Sequence, residues 1–263
     1  MIRGNLHTHT TFCDGKNTPR EIVETAIEKG FSYIGFSGHG HTFFDESYCM
    51  REEKKYIAEV RSLKEEYKDK IEILCGVERD FLSDDFENTF DYEIASVHYI
   101  KAGGKLYDVD NSIAVQKECI KNHFGNDPYS YAEEYYKSVA LLNGDIIGHF
   151  DLLTKFDRAN EIFNPKEERY KKAALSALFS LIEKGCAFEV NTGAMARGYK
   201  DAPYPDLWLL EEIKKKGARV VITSDCHRRE FLDYGYDFAC EILTKLGFKE
   251  LFNIEFIRNE EKQ

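Results

Sequence analysis

Seven short apolar runs recur along the 263-residue chain, and stretches with amphipathic helical spacing separate them. Short runs rich in apolar and β-branched residues are typical of buried parallel strands. Strands that alternate with helices in this way predict an α/β fold built on a parallel sheet. The runs lie near Ile2–Leu6 and at Tyr33–Phe36, Ile71–Leu74, Tyr92–Val97, Asp145–Gly148, Ala187–Val190 and Arg219–Thr223.

Helix-start patterns fall between these runs. Thr18 precedes Pro19, and Glu21 stands three residues after the threonine, which is the pattern of a capping box with proline in the first turn. Gly30 stands where such a helix ends. Further helices are predicted over 52–68, from Asn164-Pro165 to Gly185, from Pro205 to Gly217 and from about Tyr236 to Leu246.

The number of strand–helix units favours one of two architectures. Seven units without a Gly/Ser-rich linker favour a closed or nearly closed barrel over an open doubly wound sheet. No GxGxxG motif follows the first run, so a dinucleotide-binding fold has no support. We therefore predict a single domain over residues 1–263, with an insertion at about 99–144 that holds one or two extra helices.

Charge and cysteine pattern limit the classes of partner. The chain has 36 Lys and Arg against 47 Asp and Glu, a net charge of −11, which disfavours nucleic-acid binding. No run approaches the ~18 apolar residues of a membrane span, and Met1–Gly4 is not followed by the apolar core of a signal peptide. Seven cysteines without a CxxC pair predict a cytoplasmic protein with reduced thiols. Nothing in the sequence indicates the oligomeric state.

Six of the eight histidines and three acids follow the predicted strands. The carboxyl ends of the strands of a parallel barrel converge on one face, where catalytic sites lie. A cluster of imidazoles and carboxylates suits Zn²⁺, Mn²⁺ or Fe²⁺. Nine side chains are too many for one ion, so we expect two or three ions that share a water, which becomes a hydroxide nucleophile near neutral pH. The nine are His7, His9, Asp14, His39, Glu78, His98, His149, Asp225 and His227.

The motifs around these residues resemble those of the polymerase and histidinol phosphatase (PHP) superfamily. They are His7-x-His9 with Asp14-Gly15, Ser37-Gly38-His39-Gly40, Gly76-Val77-Glu78, Ser96-Val97-His98, Gly148-His149 and Ser224-Asp225-Cys226-His227. The resemblance extends from residue 4 to about 245. It implies a distorted seven-stranded (β/α)7 barrel of the PHP type with a trinuclear metal site.

The resemblance also implies how the nine residues are divided among the ions. His7, His9, Glu78 and Asp225 would hold the first ion, Glu78 would bridge to a second held by His98 and His149, and Asp14, His39 and His227 would hold the third. At the position of Asp14 the family uses either His or Asp. The residue between Asp225 and His227 is usually small and apolar, so Cys226 is a mild departure.

Length and motif spacing look most like the stand-alone histidinol-phosphate phosphatases of this superfamily, which hold phosphate with arginines. Arg158, after the fifth strand, and Arg197, after the sixth, stand where these arginines belong, and His41 is a further candidate for substrate contact. The resemblance thus implies hydrolysis of L-histidinol phosphate, a small-molecule phosphate ester of histidine biosynthesis. Asp225, His227 or a bound water would protonate the leaving alkoxide, and the sequence does not choose among them.

Two alternatives follow from other branches of the superfamily. One is a phosphoesterase that acts on another phosphorylated metabolite, on a phosphodiester or on short oligonucleotides; the net charge argues against the last of these. The other is a structural module without activity. That alternative predicts that some ligand positions have lost their metal-binding side chains, whereas all nine positions here carry side chains able to bind a metal.

Overall fold

The computed structural model describes residues 4–83, 89–249 and 251 of the chain. Its strands are β1 (Gly4–Asn5), β2 (Tyr33–His39), β3 (Glu72–Asp80), β4 (Tyr92–Ser96), β5 (Tyr99–Ala102), β6 (Lys105–Asp108), β7 (Ile146–Ile147), β8 (Ala187–Asn191) and β9 (Val220–Thr223). Seven of them form one parallel sheet in the order β1-β2-β3-β4-β7-β8-β9, and β5 pairs with β6 in an antiparallel hairpin.

Contacts between the residues that follow the first and last strands bring the sheet round into a barrel. Thr8 forms a parallel bridge with Cys226. His9 N donates to Cys226 O at 2.9 Å, and Cys226 N donates to His7 O at 3.1 Å. The seven predicted runs are therefore the strands of a nearly closed barrel, and the predicted fold class is confirmed.

Helices surround the barrel. They are α1 (Pro19–Glu28), α2 (Glu53–Tyr67), α3 (Ile113–His123), α4 (Pro128–Ala140), α5 (Glu168–Glu183), α6 (Gly193–Ala196), α7 (Leu207–Lys215) and α8 (Tyr236–Lys245). In α1 the predicted capping box is present, because the Thr18 hydroxyl accepts from Glu21 N and the Glu21 carboxylate accepts from Thr18 N. In the part of the chain that the structure describes, no helix is long and apolar enough to cross a membrane.

Two predicted helix starts are wrong by a few residues. Helix α5 begins at Glu168 instead of at Asn164-Pro165, because Asn164 Oδ1 accepts from Lys166 N and holds a turn before the helix. Helix α7 begins at Leu207, two residues after Pro205. Residues 2–3 of the first predicted run lie outside the described residues, as do residues 1–3, 84–88, 250 and 252–263 of the predicted domain.

The interval between the fourth and fifth strands of the barrel contains more than the sequence indicates. It holds the β5–β6 hairpin as well as α3 and α4. The hairpin brings Asp108, at the end of β6, to the cavity described below.

A small apolar core fills part of the barrel. It consists of Leu6, Tyr33, Leu74, Tyr92, Ile94, Ile146, Ala187 and Val221, all less than 6% exposed. A larger core packs the outer faces of the strands against the helices. A barrel with a packed interior is a rigid support for side chains at its carboxyl end.

Candidate metal centre

The structure brings all nine predicted ligand residues together at the carboxyl end of the barrel. N···O distances of 3.0 to 3.5 Å connect every one of them to another member of the cluster. The strands are parallel and in register, so residues that are distant in sequence end at the same height in the barrel. A cluster of this density across separate strands is a metal-type donor set rather than a set of surface histidines.

Glu78 lies at the centre of the cluster. Its Oε2 is 3.1 Å from His7 Nε2 and 3.0 Å from His39 Nδ1. Its Oε1 is 3.0 Å from His149 Nε2 and accepts from Ser96 Oγ at 2.7 Å. The two oxygens of one carboxylate therefore face different groups of histidines, which is the geometry of a bridging ligand.

Three groups of donor atoms, each within 4.8 Å of one another, could hold ions in the described part of the chain. They are His9 with Asp14, His39 and His227; His7 with His9 and Glu78; and His39 with Glu78 and His98. The groups share members, and His9 joins the one that contains Asp14, unlike the division implied by the family resemblance. The assignment of each ligand to one ion stays a prediction.

Several buried donor atoms in the cluster make no hydrogen bond within the described residues. Unpaired buried polar atoms are costly, and imidazole nitrogens that face carboxylate oxygens are stable when a cation lies between them. Nitrogen and carboxylate donors in this number fit two or three divalent transition-metal ions such as Zn, Mn or Fe. The atoms of the cluster without a hydrogen bond are His7 Nε2, His9 Nε2, Asp14 Oδ1, Glu78 Oε2, His98 Nδ1 and His149 Nδ1.

Local backbone geometry places Asp225. Its φ of 46° lies in the left-handed region, which Asp tolerates better than most residues. A Cβ on Gly193 would lie 2.8 Å from Asp225 Cβ and 2.9 Å from its Oδ2. Only glycine fits at residue 193, because the turn after β8 passes directly against this carboxylate.

The electrostatics of the cluster shift its imidazoles in both directions. Burial disfavours the charged form of His7, His98 and His227, but neighbouring carboxylates outweigh it and raise the pKa of each of these imidazoles. Burial, with His227 and His39 nearby, lowers the pKa of His9 to about 3, so this imidazole is neutral near pH 7. Burial opposes the charge of Asp225, but the Arg197 guanidinium and His7 outweigh it and hold the pKa of that carboxyl well below its usual range. Neutral imidazole and ionised carboxylate are the forms that bind metal.

A cavity of about 430 Å³ opens over the cluster. Glu78, Asp225 and His227 line it on the metal side. Arg197 and Lys155 also line it, together with acidic and aromatic residues of the insertion and of the loop after β2. The cavity is large enough for a small metabolite.

The three side chains that were predicted to contact substrate lie in different places relative to the cavity. Arg197 lies on the cavity wall, where its Nη2 donates to Asp225 Oδ2 at 2.9 Å. Arg158 does not line the cavity, because its side chain is 59% exposed and pairs with Asp201 on the surface. His41 is half-buried and is also absent from the lining. Roles for Arg158 and His41 in substrate binding stay predictions.

Three residues with contacts at the site were not predicted. Lys155 is buried on the cavity wall and its Nζ donates to Asp110 Oδ2 at 2.8 Å. Glu189 and Asp80 are buried acids beside His7 and His98, at 2.5 and 3.2 Å respectively. For Glu189 the sequence offers one indication, since a charged residue inside an apolar strand requires a buried partner.

Comparisons with known proteins found relatives that align over most of the chain. The histidinol-phosphatase of Bacillus subtilis is 27% identical over 90% of this chain and 98% of its own length. The probable histidinol-phosphatase of Schizosaccharomyces pombe is 27% identical over 95% of this chain and 88% of its own length. Among solved structures, the histidinol phosphate phosphatase of Lactococcus lactis in complex with Zn, L-histidinol and phosphate superposes with a TM-score of 0.72, at 23% identity and 95% coverage of both chains.

The family model for the PHP domain matches residues 5–193, well over half of the chain. The matched part contains seven of the nine clustered residues, and Asp225 and His227 complete the cluster from the loop after β9. The chain belongs to the PHP domain family.

Proposed function

We propose that this protein is a metal-dependent phosphomonoesterase that hydrolyses L-histidinol phosphate to L-histidinol and phosphate. The observation that carries the proposal is the set of unpaired buried donor atoms around Glu78 at the base of a cavity with Arg197 on its wall. Its support from comparisons is that curated relatives named histidinol-phosphatase align over at least 90% of the chain.

The residues of the site would have different roles in the reaction according to their charge. Divalent ions at the cluster would lower the pKa of water and neutralise charge on the phosphoryl oxygens. Arg197 and Lys155 would orient the phosphate from the cavity wall, since Arg grips phosphate through a planar fork and Lys acts as a point charge. Asp225 holds Arg197 in place, and His227 lies 3.3 Å from Arg197 Nη1 on the same side of the cavity. Because the pKa of Asp225 is held well below its usual range, His227 or a bound water would donate the proton to the leaving oxygen.

Two carboxylates on the cavity wall suit a substrate that carries an ammonium group. Asp108 Oδ1 accepts from Asp110 N at 2.9 Å, and both carboxylates line the cavity. Lys155 pairs with Asp110, so these three groups together carry one net negative charge when Asp108 is ionised. Histidinol phosphate has an amine next to its phosphorylated alcohol, and that amine would lie near Asp108.

Asp108→Asn is expected to lower kcat/KM for L-histidinol phosphate by at least about tenfold, the effect of losing one charged hydrogen bond. Burial and the Asp110 carboxylate raise the pKa of Asp108 to about 7. The charge of Asp108 is therefore present above that pH and lost below it. The preference for histidinol phosphate over p-nitrophenyl phosphate should fall in the wild type between about pH 8 and pH 6. A variant with the same preference as the wild type at all pH values would remove Asp108 from substrate recognition.

Two single variants, Lys155→Met and Arg158→Met, test which of these cationic side chains after the fifth strand binds phosphate in the site. We expect Lys155→Met to raise the inhibition constant of inorganic phosphate about tenfold or more. Arg158→Met should change it less than about twofold, because an exposed ion pair contributes little. The reverse result would restore Arg158 as the phosphate ligand.

Phosphate release from L-histidinol phosphate by Mn²⁺- or Zn²⁺-loaded protein tests the proposal directly. p-Nitrophenyl phosphate and its bis-ester are measured beside it. We expect kcat/KM for histidinol phosphate to exceed that of the generic monoester by several orders of magnitude. Similar slow rates on all three compounds would contradict the proposed substrate, and other phosphorylated metabolites or short oligonucleotides would then be tested.

A further inference from the structure

Glu189 is a buried carboxylate that the proposed mechanism does not use. It lies in the middle of β8 and is 1% exposed. Its Oε1 is 2.5 Å from His7 Nδ1. Its Oε2 accepts from His149 N and from Asn191 Nδ2, both at 3.0 Å. Three nitrogen groups therefore surround both of its oxygens, and its position is fixed on every side.

The contact with His7 determines which nitrogen of that imidazole faces the metal centre. His7 Nε2 points the other way, 3.1 Å from Glu78 Oε2 and 3.7 Å from Asp225 Oδ1, and makes no hydrogen bond to any residue that the structure describes. An imidazole that donates its Nδ1–H to a carboxylate keeps the lone pair of Nε2 free for a metal ion.

The packing around Glu189 excludes both water and a competing orientation. His7 is completely buried, and a Cβ on Gly148 would lie 3.5 Å from Glu189 Oε2. The Glu189 side chain cannot turn without breaking its bonds to His149 N and Asn191 Nδ2. Glu189 therefore lies behind the ligand residue His7 and supports it.

We propose that Glu189 is a positioning residue of the metal centre, which acts by holding His7 as the Nδ1–H tautomer with Nε2 directed at the bound ion. The inference deepens the proposed function, because it rests on a metal centre that includes His7. Glutamine cannot replace Glu189, since its amide nitrogen would face either His7 Nδ1–H or the donors of His149 and Asn191.

Titration of metal-free protein with Zn²⁺ against a chromophoric chelator measures the effect. We expect Glu189→Gln to raise the dissociation constant about 10- to 100-fold, the usual loss when such a supporting group is removed. Glu93→Gln is the matched control, because Glu93 is a strand carboxylate beside a separate cavity and pairs with Arg79. The control should bind Zn²⁺ with wild-type affinity. Wild-type affinity in folded Glu189→Gln would overturn the proposal.

A double-mutant cycle separates an effect through His7 from a general effect on folding. In a His7→Ala background, Glu189→Gln should change the dissociation constant by no more than about twofold, because independent effects add and dependent ones do not. Losses that add fully in the double variant would overturn the proposal.

If Glu189→Gln does not fold, the ¹⁵N NMR spectrum of the Zn²⁺-loaded wild type decides the question. Protonated Nδ1 on His7 is expected, and protonated Nε2 would overturn the proposal. These measurements do not depend on the substrate. A protein that binds Zn²⁺ through Glu189-supported His7 but does not hydrolyse histidinol phosphate would contradict the proposed function and support this inference.

Discussion

Glu78→Gln is expected to reduce kcat for L-histidinol phosphate by at least about 10³-fold, more than the 10- to 100-fold typical of residues that only support a ligand. Glu78 belongs to two of the three donor groups, and its two oxygens face opposite sides of the cluster. Glutamine keeps the shape but replaces one oxygen by an NH₂ group, which cannot bind a cation. Whichever way the amide turns, one side of the centre loses its shared ligand.

Metal content and turnover are measured on the same preparations to check this prediction. The Glu78→Gln protein should retain fewer ions per chain than the wild type after dialysis against buffered Zn²⁺. Glu93→Gln alters a strand carboxylate away from the cluster. This variant should keep the wild-type metal content and the wild-type activity. Unfolding of the metal-free proteins shows whether the variant folds. Full metal content with wild-type turnover in Glu78→Gln would remove this residue from its bridging role.

The strand ends could be predicted from the sequence because they depend on local pattern. A short apolar run followed by His98 or His149 predicts both the strand and the face on which the imidazole lies. Parallel strands of a barrel share one direction, so no long-range geometry is needed to bring these residues together. The division of ligands among ions does depend on distances of a few ångströms between strands. His9, for example, lies within reach both of the donors around Asp14 and of those around Glu78, which sequence spacing does not reveal.

The sequence pattern does not show whether Lys155 or Arg158 lines the cavity, and the reason is a different one. Both follow β7, but a 3₁₀ turn over Leu152–Thr154 intervenes. This turn leads Lys155 into the wall of the cavity and leaves Arg158 at the surface beside Asp201. Sequence spacing after a strand does not fix the direction of a side chain once the backbone leaves the extended conformation.

Arg197→Ala is expected to lower kcat/KM for L-histidinol phosphate by about 10- to 100-fold, which corresponds to the 1.5–3 kcal/mol of a charged hydrogen bond. The guanidinium is fixed before substrate binds, because Nη2 donates to Asp225 Oδ2 at 2.9 Å and Nη1 donates to Asp225 O at 3.3 Å. A group held in this way loses little further side-chain entropy when it contacts phosphate. Arg197→Lys keeps the charge without the planar fork, so we expect only partial recovery.

Two measurements distinguish phosphate binding by Arg197 from support of Asp225. If Arg197 binds the phosphate, the inhibition constant of inorganic phosphate rises at least about tenfold in Arg197→Ala while the Zn²⁺ content stays at the wild-type level. If Arg197 instead acts through Asp225, the Zn²⁺ content of Arg197→Ala falls, because the Asp225 carboxylate loses the guanidinium beside it. Arg20→Ala is the matched control, since Arg20 pairs with Glu66 on the surface between α1 and α2. Unchanged phosphate inhibition and unchanged metal content in Arg197→Ala would exclude both roles for Arg197.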